Sequence, residues 1–239
     1  MTAPVAAPAL VRLGRVESTQ AVAFTLAADG APDRTVVVAE AQTAGRGRRG
    51  RTWHDEPGAS LLASIILRPR LLPARLPMLS LTAGIAVAEA LQRVTGVTPR
   101  LKWPNDVLVG GRKLAGILLE SRLSAAPLVV LGVGVNLTQR TFPPALAERA
   151  TSVRLATGRL IEPDALLGPL LEALDVWRAR LETEGGAPIC ERWRALADTL
   201  GRRVSIDGVS GVAVDVDEDG ALIVLDGDER RRVVAGEVT

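Results

Sequence analysis

With 239 residues, 47% of them hydrophobic, and a mean hydropathy of +0.21, the chain can bury a sizeable core, which excludes an intrinsically disordered protein. A net charge of +2 is small for a nucleic-acid binder, whose affinity rests on neutralising several phosphates. A single cysteine, Cys190, excludes an internal disulfide and argues against a cysteine-based zinc site.

The length suits one large domain, or one domain with a small appendage. The opening MTAPVAAPALVRLGR has its first cation at Arg12 and lacks the basic start of a signal peptide. The longest uncharged stretches are broken by proline and glycine, or fall short of the ~18 residues that a membrane span needs. No membrane partner is expected, and the cytoplasm is the expected compartment.

In chain order, ESTQAVAFTLAADG predicts a helix opened by Ser18 or Thr19 and stopped near Gly30. RTVVVAEAQ is a β-branched strand, SLLASIILR a buried strand, and ARLPMLSLTAGIAVAEALQRVTG a long apolar helix ended by Gly96. Three strands follow: RLKW, then DVLVGGRKLAGILLE folded back at Gly110-Gly111, then PLVVLGVGVNL. Residues 151 to 200 are helical in pattern, most clearly in PDALLGPLLEALDVWRARLE. The last 39 or so residues are short alternating strands cut by Asp-Gly turns, a small all-β unit expected to dock on the rest.

The stretch GRGRRGR, Gly45 to Arg51, sets four arginines among three glycines with no acid. It matches the dinucleotide fingerprint and nearly matches the P-loop. Both require a helix immediately afterwards to supply the phosphate field, and TWHDEPGAS has no helical period. A closing loop whose amides and arginines meet an anion, a solvated charged loop and a nucleic-acid patch stay open on these residues alone.

Only Lys102 and Lys113 are lysines; the other 27 cations are arginines. Under such a bias a surviving lysine marks a place where a compact point charge is wanted and a planar fork is not. In LKWPNDVLV, Lys102 ends a strand, and Asn105 and Asp106 follow in a turn. That is either an ordinary turn or a hard-oxygen site, with Asp106 near Mg²⁺ or a ribose and Lys102 on a phosphate. In RKLAGILLE, strict alternation puts Lys113 and Gly116 on opposite faces, so either a bulge or a lysine reaching from the strand's mouth is required if both meet one ligand. In GVGVNL, Gly132, Gly134 and Asn136 share one face, either packed against a helix or forming the floor of a slot.

Together ESTQ, QTAGRGRRGRTW, KWPNDV, KLAGILLE and GVGVNL, in this order and at these spacings, resemble biotin protein ligase. The resemblance runs from about Ser18 to the C-terminus, and the family's two key lysines fall on the only two here. It implies an α/β (α+β) fold: a mixed β-sheet flanked by helices, like the catalytic domain of class II aminoacyl-tRNA synthetases, over residues 1–200. A small SH3-like β-barrel would occupy residues 201–239. The implied reaction joins biotin and ATP, with Mg²⁺, into biotinoyl-5′-AMP. It then transfers biotin to a lysine of a biotin carboxyl carrier protein domain. Biotin would be bound by Ser18, Thr19, Gln20, Gln42, Gly45, Arg46, Gly47, Arg48, Lys113, Gly116, Gly132 and Gly134. The nucleotide would be bound by Arg48, Arg51, Trp53, Lys102, Asn105, Asp106 and Asn136. Lys113 and Arg48 would be the catalytic cations, and Asp106 would hold Mg²⁺.

Two features depart from the family pattern. Gln20 stands where relatives commonly carry asparagine, and the chain stops at AGEVT, before an arginine that some relatives bring to the nucleotide. Only 17 residues precede Ser18, too few for the helix-turn-helix of the repressor-type members, so no DNA binding is expected. A homodimer is compatible with the resemblance. His54 is expected to be a loop residue, Cys190 a packing residue, and DVDEDG at 215–220 a strand turn.

Overall fold

The computed structural model describes residues 8–122 and 127–238. Its larger sheet is built from β1 (Leu10–Val16), β2 (Val36–Gln42), β3 (Ser60–Leu67), β4 (Arg100–Lys102), β5 (Asp106–Val109), β6 (Arg112–Arg122) and β7 (Leu128–Asn136). The strands lie in the order β1-β2-β3-β7-β6-β5-β4, with β1 and β2 parallel and the remaining neighbours antiparallel. β3 lies inside the sheet between β2 and β7 and is buried along its whole length, as the mostly apolar run SLLASIIL suits a strand covered on both faces.

One face is covered by α1 (Thr19–Ala28), through a small cluster of Ala23, Ala27, Val37, Ile66 and Val130. Ser18 caps this helix by accepting the amide of Gln20. The other face carries α2 (Met78–Thr95), backed by α4 (Pro163–Glu184) and α5 (Ala187–Leu196); a short α3 (Val153–Thr157) precedes them. By length and composition the segment Pro73–Thr95 could cross a bilayer, but most of it is buried under the sheet as the core helix. The Gly110-Gly111 hairpin forms as expected: both residues have positive φ (57° and 76°), and Val109 pairs with Arg112.

A second, antiparallel sheet follows, formed by β8 (Arg203–Ile206), β9 (Val209–Val216), β10 (Leu222–Asp226) and β11 (Glu229–Val233). Trp103, 1% exposed, fastens it to the first sheet by donating from Nε1 to the Gly220 carbonyl at 3.0 Å. Beside it, the Trp103 amide donates to Thr199 Oγ1 at 2.8 Å, and the Asp198 amide to the Leu101 carbonyl. β1 has no counterpart in the sequence reading. It is an edge strand with a mostly exposed pattern, so its alternation of leucine and arginine carries little apolar signal.

Candidate active site

A cleft of about 810 Å³ opens over β3, β6 and β7, beneath the arginine-rich segment that joins β2 to β3. Every site residue expected from the sequence lines it except Gly45. Gly45 serves the loop instead: a methyl there would fall 2.7 Å from the Trp53 carbonyl oxygen.

The floor is bare by design of the strands. Gly116 on β6 sits opposite Gly134 on β7, and Gly132 sits opposite Ser64 on β3. A methyl at Gly134 would lie 2.6 Å from Trp53 Cε2, and one at Gly132 would lie 2.8 Å from Gln20 Oε1. A methyl at Gly116 would come within 3.0 Å of both Lys113 Cε and the Trp53 ring. The glycine face therefore receives side chains lying flat upon it, and Trp53 is the largest of them. The Trp53 Nε1 is buried and has no hydrogen-bond partner.

The β6 bulge is present. Val107 pairs with Ala115 and Leu108 with Lys113, so one extra residue on β6 brings Lys113 round to the face of Gly116. The Lys113 ammonium rests 2.7 Å from Asp106 Oδ1 and 5.8 Å from the Trp53 ring centroid, within cation–π range. The segment after β7 holds its backbone on both sides: the Lys113 amide donates to the Arg149 carbonyl, and the Thr151 amide to the Lys113 carbonyl.

One end of the cleft is a closed polar network. The Thr19 amide donates to Gln42 Oε1 at 2.8 Å, and the Thr19 hydroxyl lies 2.9 Å from that of Ser64. Ser64 Oγ donates to Gln20 Oε1 at 3.0 Å, and Gln20 Nε2 donates to the Val130 carbonyl. Ser64, fully buried, belongs to this network and is absent from the sequence-derived set. Its signal was a hydroxyl inside an otherwise apolar strand, on the face it shares with Ser60 and Leu62. At the other end, Asn136 Nδ2 donates to the Thr151 carbonyl at 3.0 Å, which fixes that amide at the rim. Lys102 reaches the cleft from the end of β4.

The arginine segment is a compact hairpin. Arg46 bridges to Thr52, the Gly47 amide donates to the Arg51 carbonyl at 2.7 Å, and a 3-10 turn over Arg48–Gly50 makes the tip. No longer helix follows it, so neither phosphate-loop pattern applies. The four guanidinium groups diverge. Arg48 turns inward, with Nη1 3.1 Å from Asn105 Oδ1. Burial, and then the neighbouring Arg49, lower its pKa below the usual arginine value. Arg46 instead donates to Glu120 at 2.7 Å, and Arg51 pairs with Glu237 near the C-terminus.

His54 is exposed at the cleft mouth. Cys190 is buried in α5 against the Asp217 carbonyl, and burial pushes its thiol up to about 11. DVDEDG forms the expected turn: Asp217 Oδ1 accepts the amides of Asp219 and Ala221.

Two family models match the chain: the biotin/lipoate A/B protein ligase family over residues 13–136, and the biotin protein ligase C-terminal domain over residues 199–239. A biotin–[acetyl-CoA-carboxylase] ligase of Paracoccus denitrificans is 39% identical over 237 residues, covering 95% of this chain and 98% of its own. One from Mycobacterium tuberculosis is 37% identical, covering 92% of this chain and 85% of its own. Among solved structures, the biotin protein ligase of Aquifex aeolicus in complex with biotin and ATP superposes with a TM-score of 0.82 at 31% identity, covering 97% of each chain. With these matches and this cleft, the chain belongs to the biotin/lipoate A/B protein ligase family, as a biotin protein ligase.

Proposed function

We propose that this chain, acting in the cytoplasm, activates biotin with ATP and passes it to a lysine of a biotin carboxyl carrier protein domain. A biotin carboxylate oxygen attacks the α-phosphorus of ATP, and pyrophosphate leaves with the bonding electrons. The ε-amine of the carrier lysine then attacks the acyl carbon of biotinoyl-5′-AMP, and AMP leaves. Two anions must meet in the first step, so the protein's work is positioning and neutralising charge.

The observation that carries this reading is the Lys113 ammonium, held over bare Gly116 at the middle of the cleft, 2.7 Å from Asp106. From there it reaches a carboxylate at the polar end and a phosphate beside Asn105. The Thr19–Ser64–Gln20 network satisfies its own members, and Gln42 Oε1 is taken by Thr19. That leaves the Gln42 amide nitrogen as a donor for the ureido oxygen. Arg48, drawn in over Asn105, covers the acyl phosphate. Lys102 and Asn136 flank the nucleotide, with Trp53 flanking the adenylate.

Of the carboxylates that line the cleft, Asp106, Glu148 and Glu237, Asp106 is the one paired with Lys113, and no group of three or more His, Cys, Asp or Glu side chains is gathered among the described residues. That donor set fits Mg²⁺ arriving on nucleotide phosphates better than a resident metal. Asp106 would hold the ion, which neutralises phosphate charge when bound. The catalytic work is assigned to residues 1–200, with residues 201–239 as a docked domain. Biotin-dependent exchange of labelled pyrophosphate into ATP tests the reading. Exchange with lipoate and none with biotin would overturn it.

A further inference from the structure

The loop's remaining arginine, Arg49, makes a paired contact with the second sheet. Arg49 Nη1 donates to Asp207 Oδ1 at 2.9 Å, and Nη2 engages the other carboxylate oxygen. Asp207 lies in the turn between β8 and β9, so this fork joins the tip of the arginine loop to the second sheet. Both residues hold left-handed backbone conformations without being glycine, with φ of 56° at Arg49 and 47° at Asp207. Two residues further along, Arg51 pairs with Glu237, in the tail whose Gly236 and Val238 also line the cleft. Arg48 points into the cleft, while the two arginines that follow it, Arg49 and Arg51, are held by carboxylates 158 and 186 positions away in sequence.

We propose that Asp207 and Glu237 are positioning residues: they hold the arginine loop closed, so that Arg48 stays over the acyl-adenylate. The proposal rests on the biotin-ligase reading for what is retained, but the latch itself is a property of the free chain. It also gives the C-terminal domain a task in the reaction. Two of the loop's charges are paired with carboxylates near the C-terminus, while Arg48 meets the neutral amide of Asn105 and keeps its charge for the bound anion. Both pairs are about half exposed, so their effect on overall stability is small. A loop opens with far less free energy than a whole domain, so the same pairs can dominate its closed-to-open ratio. Together they should shift that ratio on the order of fivefold, and less at high ionic strength.

The test is the double variant Asp207→Asn with Glu237→Gln, which leaves every arginine in place. Limited trypsin digestion of the ligand-free chain reads loop opening at Arg46–Arg51 whatever the substrate is. The expected result is cleavage about fivefold faster than in the parent at low salt, with a melting temperature unchanged within about 2 °C. Raising salt should accelerate cleavage in the parent and leave the variant unmoved. The charge swap Arg49→Asp with Asp207→Arg should restore slow cleavage at the Arg51-Thr52 bond, which both chains keep. Escape of biotinoyl-AMP, measured as labelling of bystander lysines, should rise in proportion to cleavage. Equal cleavage rates and equal salt dependence in parent and variant overturn the latch. A parent that cleaves as expected but shows no biotin-dependent exchange overturns the functional reading and leaves the latch standing. Faster cleavage with no change in adenylate escape overturns the link between the two.

Discussion

Replacing Gly134 with alanine places one methyl group where the indole of Trp53 now lies. The added carbon would stand 2.6, 2.7 and 3.0 Å from Cε2, Cζ2 and Cδ2 of that ring. Carbon atoms at rest against each other sit about 3.5–4.0 Å apart, so the ring must retreat by roughly 1 Å. Gly116 and the Lys113 stem block movement along the floor, which leaves a lift into the cleft. The backbone conformation at Gly134 suits any residue, so the effect is purely steric. The open side of the cleft limits the stability loss to about 1 kcal/mol, the low end for overpacking, or roughly 2–4 °C in melting temperature. The substrates' slot is less forgiving. A 1 Å displacement of a positioning group costs on the order of 10²-fold in rate, which is the expected fall in biotin-dependent exchange. Gly168→Ala is the control, because nothing lies within 4 Å of its added methyl inside α4. Pro169 follows directly and disfavours a helical side chain before it, which offsets the usual gain over glycine, so stability should change little and exchange should be unaffected. Exchange in Gly134→Ala within about threefold of the parent would refute the account of the glycine floor.

Lys113→Arg keeps the charge but replaces a point donor with a planar fork above Gly116, where a methyl already comes within 3.0 Å of the lysine stem. Adenylation should fall on the order of 10²-fold in the exchange assay; near-normal turnover contradicts the role given to this lysine. Arg48→Gly should preserve the melting temperature within about 2 °C. Biotinoyl-AMP should then escape and label bystander proteins on a biotin blot, and unchanged retention contradicts that. The Cys190 thiol, raised to about 11 from 9.0 by burial, stays neutral in the fold where an unfolded chain would ionise. Stability should therefore be unaffected by this group below about pH 9 and decline between about pH 9 and 11, as the unfolded state sheds the proton first. Denaturation at stepped pH checks the sign, and alkylation of the native chain at pH 8 should be slow.

The cleft was largely legible because its parts are written as short words whose geometry is local. Two-residue alternation put Gly132, Gly134 and Asn136 on one face, and that face lines the cleft. The conflict between Lys113 and Gly116 left a bulge or a lysine reaching from the strand's mouth, and the extra residue on β6 decides for the bulge. What escaped depends on distant partners. Nothing near GRGRRGR announces that Arg46, Arg49 and Arg51 will find Glu120, Asp207 and Glu237, so the arginines taken by carboxylates could not be told from Arg48, which meets a neutral amide. Ser64 hid inside an apolar run, where a hydroxyl reads as tolerated until its partners arrive from α1. β1 was missed because an edge strand with exposed arginines offers little burial to detect.

The Trp103 indole, set within the same short word as Lys102 and Asp106, is held by a carbonyl of the second sheet. Anyone trimming this ligase to a smaller tool by cutting before that sheet would bare a large ring in the middle of the nucleotide-side motif. The missing piece would be one wall of the reaction chamber, and its removal would be felt first at Asn105 and Asp106, two and three residues along from the ring.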